Sequence, residues 1–216
     1  MFETFSANYR ETSRADSSTP NPLLLAAVES HALGFGELMA RFAGVSFNEG
    51  LYRIHPAQDV LEWTAIVEEA FPLCHGRTVC FASDWLGRQF ALDKARVEDG
   101  QMQILLVVPG TGDRLQIPAT LESLHEHELI EHAGDAVAGE LYRVYREAGG
   151  EPPAPGQCVG YEVPLFAGGE DVVDNLGLID MKAYWKKCGQ AFQAANPAAD
   201  DAAADDAAVE ESEDAN

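Results

Sequence analysis

The chain has 216 residues, 46% of them hydrophobic, enough for one domain of about 150 to 200 residues with a tail. Fourteen Lys and Arg stand against 36 Asp and Glu, a formal net charge of −22, which argues against nucleic acid and anionic membrane as partners because both are held through Lys and Arg. Such acidity suits a basic partner and also serves plain solubility.

The first ten residues lack a basic stretch followed by an apolar run, and no segment approaches 18 apolar residues, so a cytoplasmic protein is expected. Residues 1–20 are polar and end in Ser17-Ser18-Thr19-Pro20, which reads as a partly ordered lead-in outside the core. Asn21 is a good N-cap ahead of Pro22, opening a helix that breaks near Gly34-Phe35-Gly36 and resumes through Leu38, Met39 and Phe42. Gly50 to Ile54 is strand-like. Pro56 then opens a helix with Val60, Trp63, Ile66, Val67 and Ala70 on one stripe, ended by Pro72.

Three strand candidates follow, over 77–83, 89–93 and 102–108, and predict an antiparallel meander. Asp84 to Arg88 joins the first two as a tight hairpin: Gly87 takes positive φ, Asp84 bonds a nearby amide, and Trp85 sits at the tip. Pro109 to Asp113 turns the chain back to Leu115–Ile117. Helices are predicted over 119–129 and about 135–148, the latter carrying Leu141, Tyr142 and Tyr145, and the Pro/Gly run of 149–156 is a loop.

Val159, Tyr161 and Val163 alternate as in a short strand, which Pro164 confines to an edge or strand end; Gly160, Gly168 and Gly169 suit positive φ or close backbone approach. A turn capped by Asp174 or Asn175 should lead to a last helix from near Asp180, with Met181, Tyr184, Trp185 and Cys188 inward and Lys182, Lys186 and Lys187 toward solvent. Residues 194–216 hold eight acids and no Lys or Arg in an alanine background, a composition expected to be disordered. Without those eight charges residues 1–193 still carry −14. The order of elements predicts an α+β fold, an antiparallel meander sheet covered by helices, as a single domain over 21–193 with a disordered acidic tail. No glycine fingerprint supports a Rossmann or P-loop fold.

The chemistry-bearing residues form no recognisable catalytic set. Cys74, Cys80, Cys158 and Cys188 lack Cys-x-x-Cys spacing and read as reduced, buried thiols. In His125 to His132 the spacing fails the zincin motif; His125, Glu128 and His132 would share a helical face and could ligate zinc, but a solvated helix end with one salt-bridged histidine is the preferred reading. Cys74-His75 has no oxyanion loop beside it, Ser83-Asp84 no nucleophile elbow, and the acids of 168–175 no EF-hand order. Catalytic, cofactor and metal residues are therefore assigned as none. Trp63 and Trp185 read as core, whereas Trp85 beside Arg88 suits either packing or an interface.

Three segments taken together, Gly50-Leu-Tyr-Arg-Ile-His55, Phe81 to Asp93 with its Asp84-Trp-Leu-Gly-Arg88, and Cys158 to Trp185 with Gly160-Tyr161 and Pro164-Leu-Phe-Ala-Gly-Gly169, resemble bacterial immunity proteins of the GAD-like and type VI secretion immunity C-terminal domain family, within or near the SUKH superfamily. The resemblance spans roughly residues 20 to 193 and leaves out the acidic tail. It implies a cytoplasmic, non-enzymatic binder that occupies a cognate toxin domain, and the acidity suits a basic, nuclease-type toxin. The candidate partner-binding residues are Trp85, Arg88, Glu170, Asp171 and Asp174. The alternatives are an interaction or regulatory module of the same fold without a toxin, and a small metal-dependent enzyme using His125 and His132.

Overall fold

The computed structural model describes residues 1–196. Seven strands form one antiparallel sheet in sequence order: β1 (Glu11–Arg14), β2 (Val45–Phe47), β3 (Tyr52–Ile54), β4 (Thr78–Asp84), β5 (Gln89–Glu98), β6 (Gln101–Val108) and β7 (Asp113–Ile117). This is the α+β meander predicted from the sequence. Among the described residues the α-helical segments that accompany it are α1 (Glu3–Asn8), α2 (Pro22–Val28), α3 (Phe35–Phe42), α4 (Val60–Ala70), α5 (Leu121–Ser123), α6 (Leu129–Glu131), α7 (Ala133–Ala136), α8 (Gly139–Glu147) and α9 (Met181–Ala195). A separate antiparallel hairpin, β8 (Gln157–Tyr161) with β9 (Leu176–Asp180), precedes α9.

Both faces of the central strands are buried, so their side chains alternate between two cores. Val45, Phe47, Tyr52, Ile54, Phe81, Phe90, Leu92, Ile104 and Leu106 pack with Phe2, Phe5, Phe35, Leu38 and the α5–α7 segment. Cys80, Ala91, Leu105 and Val107 point the other way, against Trp63, Val67 and Ala70 of α4 and Tyr184, Trp185 and Cys188 of α9. The buried stripe of α4 and the inward face of α9 are those that the sequence spacing indicates. The last helix starts where expected, and Asp180 caps it by accepting from the Ala183 amide at 2.8 Å. All four cysteines are free and buried; burial raises every thiol pKa, to about 11 for Cys74 and Cys188.

Several expectations need correction. Residues 1–20 are not a lead-in outside the core: Phe2 and Phe5 of the α1 turn are fully buried, Tyr9 donates to the Leu129 carbonyl at 3.0 Å, and β1 is the sheet's edge strand. The long α4 helix starts at Val60, after a turn over Pro56–Asp59. Strand β5 runs on to Glu98 because Asp99 and Gly100, both at positive φ, close a hairpin with β6. The predicted helix over 119–129 is broken by a π-helical turn at Leu124–Glu128, and that over 135–148 by the positive φ of Ala138. Segment 176–180 is a strand where a turn leading into the helix was expected. Of the predicted acidic tail, 197–216 lie outside the described residues, while Ala194 and Ala195 complete α9.

Candidate partner-binding surface and a buried polar row

The β4–β5 hairpin is built as the sequence predicts. Gly87 lies at φ 74, and the Asp84 carboxylate accepts from the Leu86 and Arg88 amides at 3.0 Å each. Its position in the fold differs from expectation. Trp85 is completely buried, stacks obliquely between Tyr142 and Tyr145 of α8, and donates its indole N–H to the Val137 carbonyl at 3.0 Å. The Arg88 guanidinium pairs with Asp84 and donates to the Ala136 carbonyl at 3.0 Å. Burial pushes the Asp84 carboxyl above its ordinary value, and Arg88 opposes that push. Trp85 and Arg88 are therefore not surface anchors, which corrects their assignment as partner-binding residues: the tip is roofed by α8 and by β8.

Beside α8, the roof is made from segments 50–55 and 158–185. The Trp85 amide donates to the Leu51 carbonyl at 3.2 Å, and the Trp85 carbonyl accepts from Val159 at 2.7 Å. Trp185 donates to the Gly87 carbonyl at 2.7 Å, and a Cβ added at Gly87 would lie 2.9 Å from the Cys158 sulfur. Arg53 reaches the Gln157 carbonyl at 2.6 Å and also donates to the Pro153 carbonyl. The three sequence segments thus meet at one internal junction, which ties the small hairpin to the large sheet.

Glu170, Asp171 and Asp174 are placed differently. They lie exposed on the connection between β8 and β9, residues 162–175, which also carries exposed Glu162 and contains no Lys or Arg. Among the described residues none of these four carboxylates forms an ion pair. Val163 and Val172, 47% and 45% exposed, stand between them. The loop is nevertheless well braced. Asn175 accepts from the Val163 amide and donates to the Val163 and Glu170 carbonyls, all at 2.9 Å, and Tyr161 donates to Asp171 at 2.6 Å. Asn175 therefore pins the loop and does not cap a helix. Gly168 adopts φ 90, and Gly169 packs so closely on the Val163 carbonyl that a side chain has no room there.

The histidine cluster is dispersed by the π turn. His125 is fully buried, ringed by Phe2, Phe5, Tyr52 and Phe81, with Nδ1 donating to the Leu121 carbonyl at 2.7 Å and Nε2 accepting from Tyr52 at 3.1 Å. Burial lowers its pKa to about 4, so it is neutral at pH 7. It is not the solvated helix-end residue expected from its position. His127 is exposed beside Glu131 at 3.8 Å, and His132 is exposed. Among the described residues no group of three His, Cys, Asp or Glu is placed to hold a metal.

A feature without a sequence signal is a polar row across the α4/α9 face of the sheet. Ser46, Arg53, Ser83 and Gln89 are successive cross-strand neighbours on β2, β3, β4 and β5, and His55 lies beside them with its ring stacked on Trp63 and hydrogen-bonded to Gln89 Oε1 at 2.7 Å. All five are at least nine-tenths buried. Gln89 fixes His55, whose pKa burial lowers to about 4. Two atoms of the row, Ser83 Oγ and Arg53 Nε, have no hydrogen-bonding partner in the protein, and each such omission costs about 1–3 kcal/mol. Arg53 and Ser83 are among the residues around a cavity of about 160 Å³, together with Asp59, Trp63, Pro155, Gly156, Asp180, Met181 and Lys182, but these two atoms are sealed from it.

No family model matches the chain, and no curated protein sequence does. Among solved structures the chain is similar to the crystal structure of Atu4351 from Agrobacterium tumefaciens, with a TM-score of 0.61 and 13% identity over 88% of this chain and 89% of that one. At that identity the likeness is one of fold. No helix of the described residues is long and apolar enough to cross a membrane.

Proposed function

We propose that this chain is an immunity protein: a cytoplasmic, non-enzymatic binder that occupies a cognate bacterial toxin domain and blocks it by steric and electrostatic occlusion. The observation that carries this reading is the 162–175 loop, where four exposed carboxylates outside any ion pair among the described residues flank exposed Val163 and Val172 on a backbone pinned by Asn175, with Lys187 bonded to the Glu162 carbonyl. A pre-braced surface loses little conformational entropy on docking. Opposite potential accelerates encounter and sets register with a basic partner, so a basic toxin domain of nuclease type suits it. The family resemblance supports the same reading, since its three segments form one junction and so behave as the signature of a shared fold. Glu170, Asp171 and Asp174 remain the partner-facing candidates, now with Glu162 beside them.

The test is co-expression of the tagged chain with the toxin-like C-terminal domain encoded beside its gene, scored by pull-down and by rescue of growth. A stable complex with rescue is expected. Neither binding nor rescue would overturn the proposal and leave an interaction module of the same fold that serves no toxin.

A further inference from the structure

The seven-stranded sheet ends on two edge strands, and the chain treats them differently. At one edge β1 is four residues long and bulged between Glu11 and Ser13. The Thr12 hydroxyl donates to the Ser46 carbonyl at 3.0 Å and accepts from the Glu49 amide at 3.1 Å, and Arg14 pairs with Glu11 at 3.0 Å. A short, bulged and charged strand resists further pairing. At the other edge β7 meets β6 in unbroken register over all five residues, and among the described residues no strand lies beyond it. Arg114, Leu115 and Gln116 make no hydrogen bond there outside the β6 ladder, and Leu115 is 47% exposed.

Charge separates the edges further. The whole chain carries −22, yet from Gln101 to Leu121 it holds one acid, Asp113, and one base, Arg114. The outer side of β9 is also open, but it runs from beside Asp174 to Asp180, with Glu162 over Gly177. A second copy of so acidic a chain is repelled at β9 and is repelled least at β7.

The β7 sequence is also self-complementary. Leu115 lies opposite Leu106 and Arg114 opposite Val107, so the two side chains stand on opposite faces of the sheet. Antiparallel pairing about a two-fold axis at Leu115 sets Leu115 against Leu115 of the second copy, Arg114 against Gln116 and Asp113 against Ile117, and no like charges face each other.

We propose that β7 pairs with β7 of a second copy of this chain, antiparallel about a two-fold axis at Leu115, which joins two seven-stranded sheets into one. The contact uses neither the 162–175 loop nor the Trp85 junction, so it stands whether or not the chain neutralises a toxin. Five strand residues a side are far fewer than the roughly 20–30 a side of a standard interface, so the dimer is weak.

The test is sedimentation velocity of the full chain between about 10 μM and 1 mM, a range that brackets a weak dimer. A reversible monomer–dimer equilibrium is expected, and it should strengthen as salt rises because screening relieves repulsion between the two acidic copies. Leu115→Lys and Leu115→Glu each set like charges at the axis, and each should weaken association roughly tenfold or more while circular dichroism reports a folded chain. An equal mixture of the two should dimerise again, since opposite charges then face each other. Should either variant unfold, Gln116→Lys makes the same test by facing Arg114 with a like charge. Leu23→Lys, at a leucine 80% exposed on α2, should leave the dimer intact. A chain that stays monomeric at 1 mM in high salt would overturn the proposal, as would undiminished dimerisation of the folded single variants. A mixture that remains monomeric would overturn the two-fold at Leu115, and a dimer lost on Leu23→Lys would move the contact to α2.

Discussion

The β4–β5 hairpin tip and the β8–β9 connection both present the residue types that interfaces favour, yet the fold treats them in opposite ways. At the tip, Trp85 and Arg88 are buried under α8 and β8, and the side chains of Asp84, Trp85 and Arg88 all find internal partners. Along 162–175 the carboxylates stay exposed, and the backbone is tied down by Asn175, with Asp171 alone among the acids bonded to a side chain, that of Tyr161. A tryptophan or arginine in a turn marks a place where much surface will be covered. Whether a partner or the chain's own later segments do the covering depends on residues far away in sequence.

The contrast breaks most visibly at Trp85. Trp85→Ala empties a packed site between two tyrosines and removes the bond to Val137, so it should cost about 3–5 kcal/mol; urea unfolding monitored by far-UV circular dichroism measures it. An unchanged midpoint would mean that the tip is not part of the core. Asp84→Asn comes next. The amide oxygen still accepts from the Leu86 and Arg88 amides, but the buried guanidinium loses its counter-charge, for an expected loss of about 2–3 kcal/mol.

The two buried histidines give the interior a pH signature. Both His55 and His125 have folded pKa values of about 4 against an ordinary 6.5. The unfolded chain therefore binds more protons between those limits, and the stabilisation present above pH 6.5 is lost as pH falls through 4. Each histidine should contribute about 2 kcal/mol of that loss by pH 5. His125→Phe forfeits the bonds to Tyr52 and Leu121 at every pH, but the slope of stability below pH 6.5 should become shallower. A slope identical to wild type would show that His125 titrates normally.

How much of this was legible in the sequence follows the range of the interactions. Local rules found β4 and β6, the Gly87 turn with its Asp84 acceptor, the α4 stripe and the start of the last helix near Asp180, each set by neighbours within a few residues. The start of the chain was missed although Phe2, Phe5 and Tyr9 repeat at helical spacing, because its other residues are polar and its partner is remote: Glu126 accepts from the Thr4 amide across 122 positions. The Asp99-Gly100 dipeptide was a readable hairpin signal for the end of β5. The π turn at His125 had none, since the aromatic rings around that side chain come from residues remote in sequence. The polar row was equally invisible: Ser46, Arg53, Ser83 and Gln89 become neighbours only once the strand register is known.

The smallest effect on stability should come from the loop, and there it separates folding from function. Glu170→Lys, Asp171→Lys and Asp174→Lys alter exposed groups outside any ion pair, so each should shift unfolding by no more than about 0.5 kcal/mol; Asp171 forfeits in addition its bond from Tyr161 and should be the largest of the three. If the loop steers a basic partner, the combined variant should associate more slowly by tenfold or more at low salt while dissociation changes less, and rising salt should slow the wild type in the same manner. Stopped-flow mixing with the partner domain measures both. Salt-independent association would remove electrostatic steering while leaving toxin neutralisation open to a different surface, and a variant that unfolds outright would show that the loop, like the hairpin tip, belongs to the interior after all.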